Sequence, residues 1–140
     1  MPRHVLVPVD GSPQSLSAIE FVSGEWGDAD VTLLHVVNPV QAGYSAGVLP
    51  SGSEEWYKEA KAEADEILRE AREHLDVDAE VATDVDVGRP AATIVEAADE
   101  RNVDHVVIGS HGRSGVSRLV LGSVAEGVAR KSPVPVTIVR

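Results

Sequence analysis

The chain has 140 residues, no cysteine and a formal net charge of −11 at neutral pH. The absence of cysteine excludes disulfides, thiolate zinc sites and thiol chemistry, and a hydrophobic fraction of 43% is enough for one ordinary core. We therefore expect a single domain over residues 1–140, and the negative charge argues against broad binding to nucleic acid or to an anionic membrane.

The first half of the chain predicts two buried strands, each followed by a helix. The apolar runs His4–Val9 and Val31–Val37 are continuous, as in strands covered on both faces. Ser12 suits the N-cap of the first helix and Pro13 suits its first position. A second, longer helix is predicted over 53–75. Its apolar stripe comprises Trp56, Ala60, Ala64, Ile67, Ala71 and Leu75.

The second half continues the alternation of strand and helix. Ala79–Val87 largely alternates apolar and polar residues, which predicts a half-exposed strand at a sheet edge. A third helix over 91–101 and a strand at His105–Ile108 follow. A fourth helix, from Gly122-Ser123 to about Lys131, and a fifth strand at Pro135–Val139 complete the pattern.

Strands that alternate with helices predict an α/β fold of the Rossmann-like kind, with a five-stranded parallel sheet and helices on both faces. We predict the strand order 3-2-1-4-5. That order has one topological switch point, between strands 1 and 4, and ligands of open α/β sheets bind at such points beyond the carboxyl strand ends. The topology therefore selects Asp10 and the loop after Gly109.

A glycine-rich segment follows the fourth strand, from Gly109 through His111, Gly112 and Arg113, and ends at Gly122-Ser123. Glycine lets backbone amides approach a ligand closely, and the start of a helix offers free amides and a positive dipole end. The segment predicts a phosphate site, against the alternative of an ordinary capped loop. Neither the lysine-bearing phosphate loop nor the dinucleotide fingerprint is present in the sequence.

Charge is distributed unevenly along the chain. Acids outnumber bases between Glu54 and Asp86, whereas Glu126 is the only acid from Gly109 onwards. The bases of that last stretch are Arg113, Arg118, Arg130, Lys131 and Arg140. We expect this basic stretch to bind an anion. The alternative, that basic residues complement a helix C-terminus, accounts for Arg130 and Lys131 alone.

Two features concern the environment of the protein. Acids far exceed lysines, which leaves open a halophile-like surface adapted to concentrated salt and an ordinary soluble acidic protein. No apolar run approaches the length of about 20 residues that spans a bilayer, and the N-terminus lacks a signal-peptide pattern. We expect a cytoplasmic protein.

The spacing Gly109-x2-Gly112-x9-Gly122-Ser123 resembles the nucleotide-binding signature of the universal stress protein family. The segments VLVPVDGS, LLHVV, GRPA and SPVPVTIVR resemble the same family, and the likeness covers essentially the whole chain. It implies an α/β protein that is commonly dimeric. Members with this signature bind ATP, and Mg²⁺ or Mn²⁺ is expected with the phosphates.

The resemblance implies a set of binding residues, carried over position by position. From the adenosine side to the terminal phosphates they are Pro8, Asp10, Val36, Gly109, His111, Gly112, Arg113, Gly122, Ser123 and Val124. Val36 would meet adenine through its backbone. Asp10 would contact the ribose, the adenine edge or a water-bridged divalent ion, and its alternative role is to accept local amides in a turn.

We expect a homodimeric, ATP-binding module of stress response or signalling. The resemblance places the dimer contact on strand 5, with Val134, Val136 and Ile138, since an open strand edge can pair with a second chain. The alternative function is a slow ATPase or an adenylate-using enzyme on the same fold. No nucleophile and base are identifiable, so we predict no catalytic residue, and His35 is expected to be a satisfied core histidine.

Overall fold

The computed structural model describes residues 2–42, 53–110 and 121–140. The strands are β1 (His4–Pro8), β2 (Asp30–Val37), β3 (Val81–Val87), β4 (His105–Gly109) and β5 (Val136–Val139). The helices are α1 (Pro13–Glu25), α2 (Ser53–His74), α3 (Pro90–Glu100) and α4 (Ser123–Lys131), with a short 3-10 turn at Pro39–Ala42. The five strands and four α-helices of the described residues match the order predicted from the sequence, with ends that differ by a residue or two, whereas the 3-10 turn was not predicted.

The strands form one parallel sheet in the order β3-β2-β1-β4-β5, which confirms the predicted topology. In its register, Val5 of β1 pairs with Val31 of β2 on one side and with His105 of β4 on the other. The predicted edge position of β3 is also confirmed. The carboxyl ends of β1 and β4 consequently lie side by side, with their following helices on opposite faces.

The core has two layers, one on each face of the sheet. Val5 and Val7 of β1 pack toward α1 and α2, whereas Leu6 packs toward α3 and α4, and all three are fully buried. Successive side chains of a strand point to opposite faces. A central strand that is covered on both faces must therefore be apolar at every position, which explains the continuous run in β1.

The first helix begins as its sequence predicts. The Ser12 hydroxyl accepts a hydrogen bond from the Ser15 amide at 3.2 Å, and Pro13 occupies the first turn. Gly11, at φ 81°, provides the sharp turn between β1 and this helix. Because the turn is tight, Asp10 stays close to the end of β1.

The edge strand β3 carries two aspartates that form ion pairs with an arginine at the end of α3. Arg101 pairs with Asp84 at 2.5 Å and with Asp86 at 3.7 Å. Burial opposes ionisation of Asp84, but the hydrogen bonds from Arg101 and from the Val85 amide outweigh it and hold the pKa of Asp84 below its usual value. Charged side chains discourage pairing with another chain along an edge.

Gly109 lies where the first turn of α1 crosses the end of β4. A Cβ built there would lie 2.7 Å from the backbone carbon and oxygen of Gln14. The backbone of a helical first turn cannot move aside as a flexible side chain can. Gly109 is therefore required by the packing of α1 on the sheet, whatever else it contacts.

Gly109→Ala should lower the free energy of unfolding by about 1–3 kcal/mol, because the added methyl overlaps the Gln14 backbone. Gly24→Ala is the matched control, since a Cβ at Gly24 meets nothing within 4 Å. In the helix α1 it should be stabilising, by about 0.5–1 kcal/mol. Thermal unfolding measures both variants, and an unchanged Tm for Gly109→Ala would contradict the packing role.

Candidate functional site

A cavity of about 570 Å³ opens at the carboxyl ends of β1, β2 and β4. Its volume lies in the range of small-molecule sites, about 300–1,000 Å³. The wall is formed by Pro8, Val9, Asp10, Ser12, Ser15, Leu34, His35, Val36, Val37, Asn38, Trp56, Ala60, Glu63, Pro90, Ile94, Ile108, Gly109, Ser110, Gly122, Ser123, Val124 and Ala125. This is the switch point that the strand order selects.

The β1 side of the cavity is fixed by local hydrogen bonds. The Val9 amide donates to the Leu34 carbonyl at 2.8 Å, which extends the β1–β2 pairing beyond the end of the strand. Asp10 follows, half-buried in the cavity wall, and its Oδ1 accepts the Ser12 amide at 2.9 Å. Asp10 therefore accepts a local amide in the turn and also lines the cavity, so the turn role and the ligand-binding role expected for it do not exclude each other.

The β2 side carries a histidine whose ring is held by a backbone group. His35 Nδ1 lies 2.7 Å from the Val9 carbonyl oxygen. A carbonyl can only accept, so Nδ1 must carry the proton of this hydrogen bond. This ring nitrogen is satisfied, as predicted, but His35 is half-buried and lines the cavity beside Val36, so the prediction of a core position is wrong.

The third side is formed where α4 begins next to the end of β4. The Gly122 amide donates to the Ser110 carbonyl at 2.7 Å, and the Ser110 amide donates to the Val139 carbonyl at 2.8 Å. Gly122 is the N-cap residue of α4 and makes no side-chain hydrogen bond to cap it. The positive end of the α4 dipole and its first amides therefore border the cavity, as an anion site requires.

The start of α2 forms a further wall of the cavity. Trp56, Ala60 and Glu63 line the cavity. Their spacing places them on one helical face, and the first two are half-buried. Trp56 and Ala60 belong to the predicted apolar stripe, but the fully buried part of that stripe begins at Ala64.

Comparison with known proteins identifies the family. The model of the universal stress protein family matches residues 1–140. This chain belongs to the universal stress protein family. Its relatives in Methanocaldococcus jannaschii include universal stress protein MJ0531, which is 32% identical over 99% of this chain and 82% of its own length. Universal stress protein MJ0577 of the same organism is 30% identical over 100% of this chain and 96% of its own.

Solved structures of universal stress proteins share the fold. The structure of MJ0577 superposes with a TM-score of 0.84 and covers 98% of this chain and 94% of its own. A universal stress protein solved in complex with cAMP is 31% identical, with a TM-score of 0.66 and coverage of 99% and 97% of the two chains. The family assigned from the sequence and the Rossmann-like α/β fold are therefore confirmed.

Most of the binding residues expected from the family resemblance lie together in the structure. Those that line the cavity are Pro8, Asp10, Val36, Gly109, Gly122, Ser123 and Val124. The remaining three, His111, Gly112 and Arg113, lie outside the described residues. Ser12, Ser15, Asn38 and Glu63 also line the cavity and are not among the residues expected from the sequence. The predicted order of the strands could have indicated Asn38, because it directly follows β2.

Two kinds of feature are absent from the described residues. Within 2–42, 53–110 and 121–140, no group of three or more histidine, aspartate or glutamate side chains is placed to hold a metal ion. In the same part of the chain, no helix is long and apolar enough to cross a membrane.

Proposed function

We propose that this chain binds ATP in the cavity at the switch point, as a nucleotide-binding module rather than a hydrolase. The observation that carries the proposal is the start of α4, where the cap residue Gly122 has no side chain of its own to occupy the first amides that border the cavity. Phosphate suits such a helix start. The relative that is 31% identical and was solved with cAMP supports an adenine nucleotide as the ligand.

The charges of the wall indicate how the nucleotide would lie. Asp10 and Glu63 are carboxylates in the cavity wall, and they would repel phosphates. Ser123 and the α4 amides favour phosphates on their side. The triphosphate would therefore lie against α4, with the nucleoside toward β1, β2 and α2. This orientation agrees with the expected contact of adenine with the backbone of Val36.

A divalent ion fits this site only as a companion of the phosphates. Asp10 is a carboxylate at the end of β1, and Ser123 adds a hydroxyl at the start of α4. Mg²⁺ is commonly held by one or two carboxylates together with substrate phosphates and waters. Asp10 would then reach Mg²⁺ or Mn²⁺ only through water, and the ion would offset the repulsion between this carboxylate and the phosphates on the α4 side.

The second part of the proposal is a homodimer through β5. The carbonyl of Pro135 accepts from the Val106 amide of β4 at 3.0 Å, and the carbonyl of Val139 accepts from the amide of Ser110, directly after β4, at 2.8 Å. In a parallel strand the backbone groups alternate in direction, so the amides of Val136 and Ile138 point away from β4. Unlike β3, the strand Val136–Val139 carries no charged residue. It therefore offers the edge that suits pairing with a second copy.

ATP turnover should be absent, or far below the typical enzyme rate of about 10 per second. His35 Nδ1–H donates its hydrogen bond to the Val9 carbonyl, so this nitrogen lacks the carboxylate partner of a typical general base. Asp10 Oδ1 already accepts the Ser12 amide. Phosphate release by extensively purified protein measures turnover.

A release of several phosphates per second that survives purification would contradict the binding-module proposal if Gly122→Val also abolishes it. It would favour the slow ATPase or adenylate-using enzyme instead. A rate that Gly122→Val leaves unchanged would come from another enzyme in the preparation, because the proposed phosphate site includes Gly122.

A further inference from the structure

The helix α2 has two parts with different surroundings. From Ala64 to its end, its inward residues pack on the sheet, with Ala64 fully buried and Ile67 8% exposed. Before Ala64, the inward face lines the cavity instead, through Trp56, Ala60 and Glu63. The first part of α2 is therefore a wall of the candidate site rather than a core element.

The position of this wall follows from the topology. The helix α2 connects the parallel strands β2 and β3 and packs against both. It must run back along the sheet, so its first turns lie near the carboxyl end of β2. The start of α4 borders the cavity next to β4, on the far side of β1. Trp56 and the α4 amides thus belong to opposite sides of the cavity.

The chemistry of the α2 wall suits a base rather than a phosphate. Trp56 brings a large, half-buried aromatic side chain to the cavity. Aromatic rings stack on nucleic-acid bases through their π faces. Ala60, one turn later, adds little bulk beside the indole, and the carboxylate of Glu63 disfavours an anion.

We propose that Trp56 is a specificity-determining residue, whose indole stacks on the base of the bound nucleotide. The proposal rests on the proposed function, because it assumes that the phosphates occupy the α4 side. Stacking tolerates any base. Trp56 therefore selects nucleotides over base-free polyphosphates, whereas the choice among bases depends on the polar wall residues.

The first test compares a ligand with a base and a ligand without one. Trp56→Leu should weaken ATP binding by roughly five- to a hundred-fold, the usual effect of losing one base–aromatic stack. Binding of inorganic tripolyphosphate should stay the same. Trp56→Phe keeps a ring and should restore most of the affinity for ATP.

Tyr57→Leu is the matched control. Tyr57 is the next residue of the same helix, is 39% exposed and lies outside the cavity wall. Its loss removes an aromatic side chain from the same turn of α2. ATP and tripolyphosphate should both bind this variant as they bind the unaltered chain.

A second measurement does not depend on a variant of the site. The chain has two tryptophans, and Trp26 packs against Phe21 and His105 at ring distances of 5.3 and 4.8 Å, away from the cavity wall. In Trp26→Phe the fluorescence therefore comes from Trp56. ATP should quench this fluorescence saturably, and tripolyphosphate should leave it unchanged.

The possible outcomes separate this proposal from the proposed function. If the unaltered chain fails to bind ATP, the proposed function is wrong and the stacking proposal fails with it. If the chain binds ATP but Trp56→Leu binds it equally well without any quenching in Trp26→Phe, the stacking proposal alone is wrong. An equal loss of ATP and tripolyphosphate binding in Trp56→Leu would also overturn it, since that result indicates a structural role.

Discussion

Gly122→Val should weaken ATP binding at least about a hundred-fold relative to the unaltered chain, whose dissociation constant we expect in the micromolar to submillimolar range. Gly122 lies in the cavity wall directly before the first turn of α4. A branched side chain there would occupy the space in which phosphates approach the helix amides. Calorimetric titration with ATP measures the change.

The backbone conformation of Gly122 does not require glycine. Its φ of −64° and ψ of 153° are extended values that any residue adopts, so valine adds no backbone strain. Gly24→Val is the matched control, because a Cβ at Gly24 meets nothing within 4 Å and lies on α1. The control should bind ATP normally. Normal binding by Gly122→Val would mean that the phosphates lie elsewhere.

Ile138→Pro should convert a dimer into a predominantly monomeric protein. The Ile138 amide points away from β4 on the open edge of β5, as the hydrogen bonds of its neighbours indicate. Proline removes this outward donor and presents its ring to any partner strand, while the ladder between β4 and β5 stays intact. Light scattering at micromolar protein concentration gives the mass of each form.

The side chain of Ile138 packs against the core next to α4, so its loss needs its own control. Ile138→Ala removes most of that side chain but keeps the outward amide, and it should remain dimeric. A proline at Thr137 is unsuitable, because that amide points toward β4. A monomeric unaltered chain, in high salt as well as low, would contradict the proposed dimer.

The order and type of the five strands and four α-helices could be predicted from the sequence, because each of them carries a clear local pattern. The continuous apolar run of β1 indicates burial on both faces. The alternation in β3 indicates an edge, and Ser12-Pro13 indicates a helix start. Once the elements are placed, the rules of parallel α/β sheets leave few topologies, and these set the location of the cavity.

Other features depend on contacts between distant segments and could not be predicted. The role of Gly109 in packing follows from the approach of Gln14, far away in the sequence. The apolar stripe of α2 faces the cavity before Ala64 and the core from Ala64 onwards. The local sequence does not indicate this change, because Trp56 and Ala60 continue the same helical spacing. Periodicity shows which face of a helix is apolar, but not whether the sheet or a cavity lies opposite it.

Native mass spectrometry of the unaltered chain mixed with ATP is the most direct test of ATP binding at the α4 side of the cavity. We predict a saturable mass increase of one intact ATP per chain, which Gly24→Val reproduces and Gly122→Val does not. No added mass at millimolar ATP would contradict the proposed ATP binding. An equal mass increase in Gly122→Val would contradict its placement at the α4 side.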